Sequence, residues 1–186
     1  MIKAGVLALQ GDFREHASVF ASLGATPVEV RTPAHLADVD CLAIPGGEST
    51  TITKLARLYE LIEPVRERAA GGMPILGTCA GMIVLADEVV GGEPCFGLMD
   101  IAVRRNAYGR QVDSFESDLD VDGIGHPVRG VFIRAPWIER VGPEVRTLAT
   151  FEGRPVVLEQ GNVVVASFHP ELVGETGLHG YLIGKV

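Results

Sequence analysis

An α/β sandwich is the fold class this sequence predicts: a mostly parallel central sheet with helices on both faces and an antiparallel extension toward the C-terminal end. Short, near-continuous apolar runs recur through the first half, and a stretch with helical spacing follows most of them. After about residue 143 the helical spacing gives way to short β runs separated by turn sequences. Strands that are apolar throughout belong to parallel sheets buried on both faces. With 186 residues, 47% of them hydrophobic, the chain can bury one core but is short for two, so residues 1–186 are expected to form a single domain.

The elements follow in order. "AGVLAL" (4–9) is a buried-strand candidate, "FREHASVFASLG" (13–24) has helical spacing and stops at Gly24, and "PVEVRT" (27–32) is a second strand. "DCLAIPGG" (40–47) is a third strand running into a glycine turn, and a long helical pattern covers about Thr50 to Ala70. "MPILGTC" (73–79) is a fourth strand and "AGMIVLADEVV" (80–90) a helix. The acidic alternation "DSFESDLDVDG" (113–123) reads as a solvated loop or edge strand. In 144–171, "EGRP" and "EQGN" are hairpin turns between β runs, which extend the same sheet or form a small second layer.

Sixteen basic against twenty-four acidic side chains leave a net charge of −8, which excludes general attraction to nucleic acid or anionic lipid. An anionic ligand would need a local pocket of arginines. No apolar stretch approaches the roughly 20 residues that span a bilayer, and the N-terminal run lacks a small-residue cleavage site. Three cysteines, an odd number in unlike settings, argue against a disulfide framework. A cytoplasmic protein is expected.

"PILGTCAGMIVLA" (74–86) contains a strand, then G-x-C-x-G, then a helix, the layout of a nucleophile elbow with cysteine in place of serine. So sharp a turn strains its central residue, and Gly77 and Gly81 remove the side chains that would clash. Cys79 would thus sit exposed at the sheet edge, at a helix N-terminus that favours a thiolate. Cys41, inside "VDCLAIP", and Cys95, in "GGEPCFG", read as buried small hydrophobes.

"SFHPEL" (167–172) supplies a base: His169 to take the thiol proton and return it to a leaving amine. In an extended segment Glu171 would point the same way as His169, with Pro170 stiffening the strand between them, so the carboxylate could fix the imidazole tautomer. "PGGEST" (45–50) would face the elbow across the sheet edge. Its glycines let the backbone approach a ligand, so the Gly47 and Ala80 amides could form an oxyanion hole, with Ser49 or Thr50 capping the helix. A phosphate cradle is the other use of such a loop, though neither phosphate-binding glycine pattern is present. A zinc site from Cys, His and Glu is the rival chemistry, but no close-spaced ligand pair of the usual kind appears, and no metal is expected. In "LQGD", Gln10 and Gly11 either line the site or contact a partner, or else form a plain turn with Asp12 as helix cap.

Together, "PGGEST", "GTCAGM" and "FHPEL" in this order resemble the class I, triad-type glutamine amidotransferases, whose sheet is flavodoxin-like. "GVLALQGDFREH", "ARLYEL", "FGLMDIAVRRNAYGRQVDSFE", "FIRAP" and "ASFHPEL" narrow the likeness to the glutaminase subunits of pyridoxal 5′-phosphate synthases, over nearly the whole chain. The last residues, "GLHGYLIGKV", match more loosely, with Gly180 where a larger residue is expected. The resemblance implies hydrolysis of L-glutamine to glutamate and ammonia by a Cys79–His169–Glu171 triad through a glutamyl thioester. It implies delivery of the ammonia to a synthase subunit in a hetero-oligomer, and no cofactor for this chain, since pyridoxal phosphate is the product of the assembly. It places Gly47, Glu48, Ser49, Arg105, Ile133 and Arg134 against the glutamine, and arginine forks suit the substrate carboxylate. Two other classes remain open: a cysteine peptidase on the same sheet, and a silent binding subunit, which would need a broken triad.

Overall fold

The computed structural model describes residues 1–105 and 114–186. Elements alternate through the first half: β1 (Lys3–Leu7), α1 (Phe13–Ser22), β2 (Thr26–Val30), α2 (Pro33–Ala37), β3 (Cys41–Ile44), α3 (Ser49–Leu58), α4 (Ile62–Ala70), β4 (Ile75–Thr78) and α5 (Ala80–Leu85). Strands then dominate: β5 (Ala86–Val90), β6 (Met99–Arg104), β7 (Phe115–Leu119), β8 (Val128–Phe132), β9 (Trp137–Val141), β10 (Arg146–Phe151), β11 (Arg154–Gln160) and β12 (Val163–Ala166). A 3₁₀ turn at Glu171–Val173 and α6 (Gly177–Ile183) follow.

The central sheet has seven strands in the order β10-β11-β12-β4-β3-β1-β2. Strands β12, β4, β3, β1 and β2 run parallel to one another, and the β10–β11–β12 hairpins extend the sheet antiparallel, as the late turns predicted. Successive strand residues face opposite sides, and both sides are apolar. Leu42, Ile44, Ile75 and Val165 pack under α2, α3, α4 and α5, while Cys41, Ala43, Leu76 and Val164 pack under α1 and α6. Cys41 and Cys95 are buried and unpaired, and burial pushes the Cys41 thiol up to about 12, in keeping with their packing role.

Three local readings are corrected. The pattern from Thr50 to Ala70 is two helices, because Glu60 takes a left-handed φ of 54° and breaks the run. The helix after the elbow ends at Leu85, and "ADEVV" is strand β5, paired in parallel with β6 in a separate three-stranded sheet completed by β9. Tertiary pairing there overrides the helical spacing that the short run shares. The cap of α3 is neither Ser49 nor Thr50 but Glu48, whose carboxylate accepts from the Thr50 and Thr51 amides at 3.1 and 2.7 Å.

The acidic alternation becomes strand β7, paired among the described residues with β8 alone, and its charged side chains face solvent. Its first residue, Asp113, and the "NAYGRQV" portion of the quoted motif lie outside the described residues. Phe115, Phe132, Phe151 and Phe168 tie this ribbon to the main sheet, with ring centroids 4.6 Å apart for Phe115–Phe132 and 5.2 Å for Phe132–Phe168. Each such pair adds about 0.5–1.5 kcal/mol beyond area burial. Phe132 ends β8, so this packing sets the position of Ile133 and Arg134.

Candidate active site

Four neighbouring strands of the sheet, β12, β4, β3 and β1, release their following loops at one edge. Cys79 follows β4 directly, but it is buried rather than exposed as the elbow alone suggested, because the segment carrying Ile133 closes over its sulfur. Its φ of 49° and ψ of −105° are a strained conformation for a side-chain-bearing residue, held because its amide donates to the Ala166 carbonyl at 2.8 Å. The glycines of the turn are needed where the sequence places them. A Cβ on Gly81 would lie 2.1 Å from the Ile44 carbonyl oxygen, and one on Gly77 would lie 2.5 Å from Leu85 and 2.8 Å from the Gly81 backbone. The elbow is therefore a close approach of α5 to β3 and β4 that no larger residue permits.

His169 reaches the same point from β12. Its amide donates to the Val131 carbonyl at 2.8 Å, and its own carbonyl accepts from the Val131 amide at 3.2 Å, pinning the residue to β8. Its Nδ1 lies 2.7 Å from Oε1 of Glu171, and the thiol of Cys79 is within hydrogen-bonding reach of the ring. Burial opposes a charged imidazole here, but the hydrogen bonds and charges of Cys79 and Glu171 outweigh it and raise His169 to about 10. Glu171 is buried, which favours its neutral form, yet His16 and His169 together hold its carboxyl well below the usual range. The contact between His169 and Glu171 does not arise from an extended segment. Pro170 is helical (φ −74°, ψ −30°), and Glu171 opens the 3₁₀ turn that folds its carboxylate back.

The "PGGEST" loop after β3 closes the site from the other side. Gly46 lies so close to His169 that a Cβ there would be 2.1 Å from the ring carbon Cε1. Gly47 has φ 148°, and its missing Cβ makes room for the Gln10 side chain, which accepts from the Glu48 amide at 2.6 Å. Gln10 thus packs against the glycine loop. Asp12 sits at the start of α1 but makes no side-chain cap bond there; instead its carboxylate lies 3.5 Å from His169 Nδ1. Burial raises its pKa.

The remaining expected residues fall around this edge. Arg105 donates to Glu48 at 2.9 Å and to the Thr50 hydroxyl at 3.1 Å, and Ser49 is buried beside them. Glu48 is held at about 2: its slight burial works the other way, but the Thr51 hydroxyl and the Thr50 and Thr51 amides stabilise the charge. Ser49, Thr50 and Arg105 border a cavity of about 330 Å³ that Ile83 and Val84 of the elbow helix also line. The Ile133 carbonyl oxygen is 4.0 Å from the Cys79 sulfur, and Arg134, exposed, takes a left-handed φ of 44°. Asp12, His169 and Glu171 lie close enough to share a cation, but two of the three already serve each other through a 2.7 Å hydrogen bond.

The sequence reading missed two residues, His16 and His179. Both are fully buried, with His16 Nδ1 and His179 Nε2 2.7 Å apart behind Glu171. One signal was present: His16, Val19 and Phe20 share the i, i+3, i+4 spacing of the apolar stripe of α1. A histidine on such a stripe must find buried partners.

Comparison with known proteins brings these observations together. The profile of the SNO glutamine amidotransferase family matches residues 6–186. The chain is 55% identical to the pyridoxal 5′-phosphate synthase subunit PdxT of Frankia alni, over 99% of this chain and 94% of that one. It is 55% identical to the PdxT of Streptomyces avermitilis, over 98% and 92% of the two chains. Among solved structures, one described as a glutamine amidotransferase superposes with a TM-score of 0.93 at 49% identity, covering 98% of this chain and 97% of the other. PurLQS from Thermotoga maritima, at 17% identity, 98% coverage of each chain and a TM-score of 0.74, shares the fold.

Proposed function

Because this chain belongs to the SNO glutamine amidotransferase family, we propose that it hydrolyses L-glutamine to L-glutamate and ammonia with Cys79, His169 and Glu171 as its triad. The ammonia passes to a pyridoxal 5′-phosphate synthase subunit with which the chain forms a hetero-oligomer, as the names of its PdxT relatives suggest. Residues 1–186 act as one amidotransferase domain, since both apolar layers rest on the same sheet. Three free thiols suit a cytoplasmic setting. No helix among the described residues is long and apolar enough to cross a membrane.

The observation that carries the reading is the strained Cys79 within reach of an imidazole that is bonded at 2.7 Å to a buried carboxylate. The Cys79 sulfur, its proton already passed to His169, attacks the side-chain amide carbon of glutamine. The oxyanion that forms faces the Gly47 and Ala80 amides, one in the glycine loop and one at the first position of α5. Collapse of this intermediate breaks the C–N bond, and His169 returns the proton to the leaving ammonia. Water, deprotonated by His169, then attacks the glutamyl thioester and releases glutamate and the free thiol. Glu171 keeps the imidazole in the tautomer with Nε2 toward sulfur and supports the imidazolium.

For recognition of the substrate, Arg105 and Arg134 offer guanidinium forks to the α-carboxylate, with Glu48, Ser49 and the Ile133 carbonyl as further contacts. The Arg105–Glu48 pair lies at the rim, where an incoming carboxylate can compete for the guanidinium. A peptidase would need an open cleft for a chain on both sides of the thiol, whereas Cys79 is only 8% exposed. The test is Cys79→Ala: glutamate formation in the presence of the synthase subunit is expected to vanish while the thermal melt stays near that of the unsubstituted chain. Undiminished turnover would overturn the reading.

A further inference from the structure

Behind the triad lies a second group of polar side chains that the reaction itself does not use. His16, from α1, is fully buried, and its two ring nitrogens face three partners. Nδ1 is 2.7 Å from His179 Nε2 on α6, and Nε2 is 3.0 Å from the Thr78 hydroxyl and 3.5 Å from Glu171 Oε1. Thr78 is the residue before the nucleophile, so this one ring touches the elbow strand, the C-terminal helix and the triad carboxylate.

The carboxylate has few alternatives. Glu171 is 3% exposed and its Oε2 has no hydrogen-bond partner, so its charge is stabilised through Oε1 alone, by His169 at 2.7 Å and by His16. The same demand favours one His16 tautomer. With a bare Nε2, a lone pair would point at a buried carboxylate. With a proton on Nε2, the ring donates toward Glu171 and Thr78, and the bare Nδ1 accepts from Nε2–H of His179. Burial, with His16 beside it, pushes His179 down to about 3, so it faces His16 as a neutral ring.

We propose that His16 is a positioning residue for the triad: its Nε2–H, aimed at Oε1 of Glu171, holds the carboxylate in the orientation from which it bonds Nδ1 of His169, while His179 and Thr78 fix the ring. The groups facing Glu171 are then His16 from α1, His169 from its own segment, Asp12 from the turn before α1 and His179 from α6, with Cys79 beyond His169. Among the described residues, His16 and His169 are the groups that donate to the carboxylate. Losing the first leaves the second to hold a buried charge alone, and the thiolate–imidazolium pair then forms at higher pH. The kinetic consequence rests on the glutaminase reading; the hydrogen-bond geometry does not.

The first test uses the unsubstituted chain: with ¹⁵N-histidine labelling, His16 is expected to carry a proton on Nε2 throughout the stable pH range, and a bare Nε2 overturns the proposal. The second compares His16→Gln, whose terminal amide reaches the place of Nε2, with His16→Asn, whose shorter amide reaches only the place of Nδ1. The pH dependence of Cys79 alkylation by iodoacetamide, read by peptide mass, needs neither substrate nor partner. His16→Gln is expected to keep the original profile. In His16→Asn the acid limb moves up by about one pH unit and the rate at neutral pH falls about tenfold. A structural role alone would slow or destabilise both variants and leave the limb in place, and overlapping profiles overturn the proposal. Failure of the glutaminase reading would show separately, as turnover that survives Cys79→Ala.

Discussion

Replacing Gly46 with alanine adds one carbon to the loop that faces the imidazole, and its cost follows from three distances. The new Cβ would lie 2.1 Å from Cε1, 2.8 Å from Nδ1 and 3.2 Å from Nε2 of His169. Unstrained carbon contacts begin near 3.5 Å, so the ring must move by about 1.4 Å or the loop must retreat. The loop is not free to do so. The Gly46 carbonyl accepts from the Asp12 amide at 3.2 Å, and Gly11 packs so tightly on Gly46 that a Cβ on Gly11 would lie 1.7 Å from that carbonyl oxygen. The imidazole therefore yields, and its contacts with both Cys79 and Glu171 lengthen. A misplacement of about 1 Å can cost on the order of 100-fold in rate, or about 2.7 kcal/mol in the barrier, while overpacking of this kind costs about 1–3 kcal/mol in stability. Glutamate release, assayed by coupled oxidation with the synthase subunit present, is expected to fall about 100-fold, with a modestly lowered melting temperature. Gly125→Ala, where a Cβ meets nothing within 4 Å, is the control. Activity of Gly46→Ala within threefold of the control would refute the claim that this loop sets the imidazole position.

Two further outcomes are expected. His169 titrates near 10 in the folded chain against 6.5 when free, so its ionisation contributes stability that is complete below pH 6.5 and is lost as the pH rises toward 10. A fall in melting temperature of about 10–20 °C across that window, flattened in His169→Gln, is the signature, and identical curves would remove its physical basis. At the far side of the sheet, the nearly buried Glu159 accepts from Tyr181 at 2.9 Å and pairs with Arg146 and Lys185, so it fastens α6. Glu159→Gln should cost about 1–2 kcal/mol, the Arg146 part being discounted for its solvent exposure, and should speed amide exchange in Gly177–Ile183; unchanged exchange would contradict the fastening.

Sequence was most informative where local chemistry and topology demand the same residue. G-x-C-x-G announces the elbow because both glycines are excluded from carrying a Cβ by backbone atoms or Leu85 within 3 Å. Apolar strands and the turns around Gly153 and Gly161, both at positive φ, announce the sheet and its hairpins. What stayed hidden depends on partners distant in the chain. "ADEVV" is a strand only because Met99–Arg104 lies beside it. His16 meets His179 only once both α1 and α6 pack on the same face, 163 positions apart in sequence. Glu171 reaches its histidine by a 3₁₀ turn, where the alternation rule pointed to the right neighbour for the wrong geometric reason.

The strand order has a consequence for the birth of the protein on the ribosome. Strand β12 occupies the slot between β11 and β4, and it leads directly into the loop that carries His169 and Glu171. Until residues 163–171 have left the exit tunnel, β4 keeps a bare flank, the Cys79 amide lacks the Ala166 carbonyl, and the thiol has no base. A chain that stops short of residues 163–171 therefore lacks both the carbonyl that holds the Cys79 amide and the imidazole beside its sulfur.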